Sequence, residues 1–174
     1  MSSIEPRNMC TQPYPLSKHN VWNVASEQLD SGLWRYKVDG GGERGTVRAA
    51  INSTAVAVGD VLVLVYECDD PTLLVGLNSG AAYCMRGCDW LRGGTVSDRI
   101  GWNACKIVDT TLSSHEFVIH RDAGWTTIRG CANYTAEDWP AIETQITKGN
   151  LPAGWFAPPR DAESGKTYPP VLVP

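Results

Sequence analysis

Six cysteines (Cys10, Cys68, Cys84, Cys88, Cys105, Cys131) and three histidines (His19, His115, His120) are the side chains of this 174-residue chain best suited to nucleophilic or metal chemistry. A cysteine nucleophile needs a thiolate beside an imidazole. His115 and His120 are five residues apart, so on one strand they face opposite sides and cannot both serve one site. His19 sits in a proline-rich stretch, and no cysteine lies in a nucleophile elbow or a family signature. A zinc site could be built from Cys84 and Cys88 with Cys105, Cys131 or His115. The C-x3-C spacing is tolerated in zinc knuckles, but no second close cysteine pair completes it. Cys84 and Cys88 therefore define only an alternative reading, a small cytoplasmic metal or thiol protein.

The carboxylates do no better as a catalytic pair. Asp69-Asp70, Glu137-Asp138 and Asp161 with Glu163 are local in sequence and sit where turns or a helix cap need them. Glycoside hydrolysis would need two acids facing each other across a cleft. Gly40-Gly41-Gly42 precedes neither a helix nor a Gly-Lys-Ser/Thr sequence, so it is a flexible turn and not a phosphate loop. The residues indicate no enzyme and no cofactor.

Seven tryptophans stand against two phenylalanines. Trp22, Trp34, Trp90, Trp102, Trp125, Trp139 and Trp155 run the length of the chain, which fits packing in the core and between subunits. A carbohydrate- or receptor-binding module, such as part of a phage tail fibre or spike, would instead expose two or three of them on one face.

Net charge −4 and a pI near 5.3 give no footprint for nucleic acid or an anionic membrane. No apolar run approaches the roughly 20 residues that span a bilayer. The opening MSSIEPRNMC lacks the apolar segment of a secretory signal, so synthesis in a cytoplasm without a signal peptide is expected. In that compartment the cysteines are expected as reduced, half-buried thiols.

The elements organise around residues 53–68, STAVAVGDVLVLVYEC. Residues 61–66 are all Val, Leu or Tyr between two turns, which predicts the buried central strand of one β-core. Hairpins are predicted from residues 33–38 with 45–51 around the glycines, from 72–77 with 81–86 around Asn78-Ser79-Gly80, and from 115–121 with 125–132 around Asp122-Ala123-Gly124. Residues 87–94 read as a loop, and 95–109 as two short strands or one bulged strand. Asp138 as N-cap, Pro140 in the first turn, Ile142 and Ile146 four apart and Gly149 as terminator predict one helix near 139–148.

The domain plan is an extended N-terminal arm over residues 1–21, a β domain over 22–150 and a C-terminal arm over 151–174 with six prolines. The predicted fold is mainly β: a β-sandwich or β-barrel, a jelly-roll arrangement included, with one short C-terminal helix. Double layering or closure is how about ten short strands manage their edges.

The strand-turn-strand texture TAVAVGDVLVLVYE followed by LLVGLNSGAAY, and the two arms, resemble the accessory virion proteins of tailed bacteriophages, especially head decoration or cement proteins. The resemblance covers roughly residues 44–86 and carries no residue-specific motif. It implies a homo-oligomer, dimer or trimer, in the virion, binding the major capsid protein or other virion subunits with its arms and neither nucleic acid nor membrane. Tyr14 and Leu16 in the first arm, and Trp155, Phe156 and Tyr168 in the second, are the candidate inter-subunit anchors.

Overall fold

A computed structural model describes residues 21–50, 56–69, 83–84, 87–111 and 114–149. They form ten strands and one helix: β1 (Val21–Trp22), β2 (Val24–Gln28), β3 (Trp34–Val38), β4 (Arg44–Ala50), β5 (Val61–Glu67), β6 (Tyr83–Cys84), β7 (Cys88–Thr95), β8 (Ile100–Ile107), β9 (Ser114–His120), β10 (Thr126–Tyr134) and α1 (Trp139–Thr147). Every pairing is antiparallel. One sheet has six strands in the order β2-β3-β10-β5-β8-β7, the other four in the order β1-β4-β9-β6. The mainly β expectation holds, as two open sheets with one short C-terminal helix.

The central strand explains the layering. Side chains alternate across a strand, and in β5 both sets are apolar. Leu62, Leu64 and Tyr66 join Tyr36, Val38, Cys105, Ile128 and Cys131 of their own sheet and Val47 and Ile119 of the four-stranded sheet. Val61, Val63 and Val65 join Trp102, Ala104, Ala132, Tyr134 and the helix residues Ile142 and Ile146. The six-stranded sheet is thus covered by the small sheet on one face and by α1 on the other. A continuous apolar run is what burial on both faces demands.

The helix forms where predicted, with Pro140 in its first turn. Asp138 occupies the cap position but makes no capping bond with its side chain. Thr135 acts instead, its Oγ1 accepting the Asp138 N–H at 3.1 Å. Asp60, buried before β5, accepts from the Ala57 N–H at 2.7 Å and from the Ala136 N–H at 3.2 Å, tying the turn before the central strand to the chain entering α1.

Two predicted hairpins are corrected. β3 and β4 flank the glycines but belong to different sheets, and so do β9 and β10. Val38 and Val47 meet across the core rather than side by side, so burying both draws the chain from one sheet to the other. The hairpins that form are β2–β3, closed by Leu29 and Gly32 with Gly32 at φ 84°, and β7–β8, closed by Val96 and Ile100. The predicted loop 87–94 is therefore largely strand β7. Its Gly93 and Gly94 are required because a Cβ there would collide with Asn103 and the Trp102 ring. The predicted hairpin 72–77 with 81–86 lies mostly outside the described residues.

Three crossings between the sheets meet at one corner. The chain passes from β1 to β2 through Asn23, at φ 57°. From β3 to β4 it passes through Gly40-Gly41-Gly42, and from β9 to β10 through a 3-10 turn, Arg121–Ala123. The Asn23 amide donates to the Gly41 carbonyl at 3.2 Å and the Arg44 carbonyl at 2.7 Å. The Arg121 guanidinium donates to the carbonyls of Gly40 and Gly42, the latter at 2.8 Å from Nε. A side chain at Gly40 would occupy the place of the Asn23 amide.

Candidate interaction surface

The residues most able to do chemistry are distributed by the sheets rather than gathered. Cys68, Cys105 and Cys131 are buried between the two sheets, and Cys88 is half-buried on β7. Cys84 lies in β6, paired with Phe117 of β9. Among the described residues no group of three or more His, Cys, Asp or Glu is placed to hold a metal ion. His115 and His120 lie near opposite ends of β9, opposite Ala49 and Arg44. The His120 Nδ1 accepts the Asp122 N–H at 3.3 Å, which places any proton of the neutral ring on Nε2.

A charged strip crosses the helix-bearing face of the six-stranded sheet beyond α1. Register places Glu27, Arg35, Thr127, Glu67 and Ile100 in one row. Arg35 pairs with Glu27 at 2.6 Å and stacks on Trp125 at 4.6 Å. Arg129, lifted by the bulge between Ile128 and Gly130, pairs with Glu67 at 2.6 Å; Arg99 bridges Glu67 at 3.6 Å and Asp69 at 3.0 Å. Each of these charges faces an opposite one, so the strip is a self-neutralised, solvated sheet face. The exposed pairs Arg35–Glu27 and Arg99–Asp69 stabilise by about 0–1 kcal/mol each, whereas the Arg129–Glu67 pair is part-buried.

The tryptophans mostly serve packing. Trp102 is buried; Trp34 and Trp90 pack on the inter-sheet core, Trp139 packs on the helix-side core, and Trp125 lies under Arg35. Among the described tryptophans only Trp22 is strongly exposed, at 63 %.

What remains is the edges. Among the described residues β7 and β2 end the larger sheet, and β1 and β6, two residues each, end the smaller. Short edges resist pairing with another chain, but β7 has eight residues. Among the described residues four large apolar side chains are exposed: Leu91 at 38 % on β7, Val108 at 43 % beside the start of β7, Val58 at 64 % in the turn before β5, on the other side of β8, and Trp22. Val108 donates its N–H to the Gly87 carbonyl just before β7, and Gly59, next to Val58, donates to Ile107. The fourth, Trp22, is on edge strand β1, where the described chain begins.

The sequence-predicted anchors Tyr14, Leu16, Trp155, Phe156 and Tyr168 lie outside the described residues. The β7 edge was not foreseen, because Gly93-Gly94 made the segment 87–94 read as a loop. Its signal was the Ser97-Asp98-Arg99 turn: the Ser97 Oγ accepts from the Arg99 and Ile100 N–H groups at 3.4 and 3.2 Å, a short connection of the kind that joins paired strands. In comparisons with known proteins, no family model, no curated protein and no solved structure matches the chain.

Proposed function

We propose that the protein is a non-enzymatic structural component of a virus particle, a decoration or cement protein that binds and stabilises a capsid lattice as an oligomer through its terminal arms. The supporting observation is where those arms begin. The N-terminal chain enters at β1, an edge of the small sheet, beside the exposed Trp22. The C-terminal chain leaves after Gly149, which abuts Val96 at the end of edge strand β7. Both proline-containing segments thus leave the described body close to sheet edges, and that body has two layers of buried apolar side chains.

Such a body suits a lattice protein. Arms that order only against neighbours add contact area, and repeated contacts over a lattice offset the ordering cost through avidity. Among the described residues the tryptophan distribution favours this reading over a glycan platform, which needs two or more exposed rings on one face.

The test compares the full chain with one ending at residue 157, by light scattering and by co-sedimentation with capsids lacking the protein. The expected result is a dimer or trimer that binds capsids when complete, and a folded monomer that does not bind them when shortened. Undiminished capsid binding by the shortened chain, or no capsid binding by the full chain, overturns the proposal.

A further inference from the structure

Asp39-Gly40 is the only place in the chain where Asp or Asn is followed by Gly. Such a pair has a chemistry of its own. With no Cβ on the second residue, nothing shields its backbone nitrogen from the aspartyl side chain, and the chain turns there freely. The structure sets this pair at the corner where the sheets meet. Asp39 directly follows β3 with its side chain exposed, and its N–H donates to the Asn23 carbonyl at 3.3 Å. Gly40 cannot be exchanged for a residue that reacts more slowly, because a Cβ there would occupy the place of the Asn23 amide. The packing of the corner therefore imposes the reactive sequence.

We propose that Asp39 is a site of spontaneous isomerisation to isoaspartate, at a rate set by the hold of Arg121 on the glycine loop. The Gly40 nitrogen attacks Cγ of the protonated Asp39 carboxyl. The N–Cγ bond forms, the Cγ–OH bond breaks, and the hydroxyl leaves with the amide proton as water, giving a cyclic imide. Water then adds to the former main-chain carbonyl carbon of residue 39 and breaks its bond to the nitrogen, which takes back a proton. The main chain now runs through Cβ and Cγ, and the old carbonyl carbon carries the free carboxylate. One water is lost and one gained, so the step needs no oxidant, reductant or further reactant. Ring closure requires Gly40 to turn relative to the Asp39 side chain. Arg121 opposes that turn, its guanidinium donating to the Gly40 carbonyl and, at 2.7 Å, to the Gly42 carbonyl. The Asn23 amide holds the Gly41 carbonyl between them at 3.2 Å. Bonds from a charged donor are the stronger kind, so the Arg121 hold is the larger restraint. Once formed, isoaspartate lengthens the main chain by one methylene just before Gly40, and shifts all three carbonyls away from Arg121 and Asn23. The assignment does not rest on the virion reading.

The test ages the full chain at neutral pH and physiological temperature, folded and in urea, beside Arg121→Ala and Asp39→Glu. Peptides that span residue 39 are then separated, and electron-transfer fragmentation tells isoaspartate from aspartate of the same mass. The expected result is isoaspartate at residue 39 of the folded chain, accumulating on the order of tenfold faster in Arg121→Ala. Asp39→Glu, whose larger ring closes far more slowly, shows no second form of that peptide. A folded chain that gains no isoaspartate at residue 39, over a period in which the chain in urea converts, overturns the proposal. Equal accumulation in the folded chain and in folded Arg121→Ala also overturns it. Where Arg121→Ala does not fold, the folded chain and the chain in urea decide: slower conversion when folded supports the hold of the corner, and equal rates overturn it.

Discussion

Two tyrosines and a threonine carry the clearest single-residue consequences. Tyr36 and Tyr66 are buried in the inter-sheet core, and burial holds both phenols well above their usual range, with the nearby Cys68 adding to the effect on Tyr66. A phenol that stays protonated when folded and ionises when unfolded stabilises the fold fully below pH 10. That stabilisation is lost as pH rises through and beyond 10, where the unfolded chain has released protons that the native one retains. With two such groups the loss approaches about 2.7 kcal/mol per pH unit above pH 10. Alkaline titration at 295 nm should show these two phenolates appearing together with unfolding, not before it. Thr126 lies fully buried opposite Tyr36, and its hydroxyl has no hydrogen-bond partner among the described residues. Thr126→Val removes a desolvated polar atom at nearly constant shape and should raise stability by about 1 kcal/mol, read as a higher urea midpoint at unchanged slope.

Elements were legible in the sequence where one physical signal decided them. The β5 run announces a strand buried on both faces, and Ile142 with Ile146 announces the buried side of α1. Ile142→Ala should cost about 2–5 kcal/mol and raise the exchange rate of α1 amides more than those of β4 or β9, because among the described residues α1 packs on the far face of the larger sheet. Partner choice between strands was not legible. A turn such as Gly40-Gly41-Gly42 looks the same whether the chain folds back beside itself or crosses to another sheet. What decides is whether Val38 and Val47 meet side by side or face to face, a long-range fact. β7 was hidden for the same reason. Its glycines look like breakers until Asn103 and Trp102 of the neighbouring strand occupy the space their side chains would fill. Gly101 follows that rule against Tyr66, whose ring would lie 2.7 Å from an added Cβ.

At the scale of the whole molecule, three crossings between the sheets are tied together at one corner by side-chain hydrogen bonds. Arg121 and Asn23 share the glycine loop as their common target, so their contributions should couple. Arg121→Ala and Asn23→Ala should each cost about 1–3 kcal/mol, and the double variant should depart from the sum by at least about 0.5 kcal/mol, measured by urea unfolding of all four proteins. The same corner sets a schedule for the chain as it is made. Arg121 lies 79 residues beyond the Gly42 carbonyl it holds. A ribosome adding about 5–20 residues per second needs roughly 4 to 16 s to cover that interval. During it, the apolar β5 has been synthesised while β10, its neighbour in the sheet, and the guanidinium that pins the two sheets together have not. A nascent chain stalled before residue 121 should therefore be the species that chaperones hold and proteases cut, and release past residue 149 should end both.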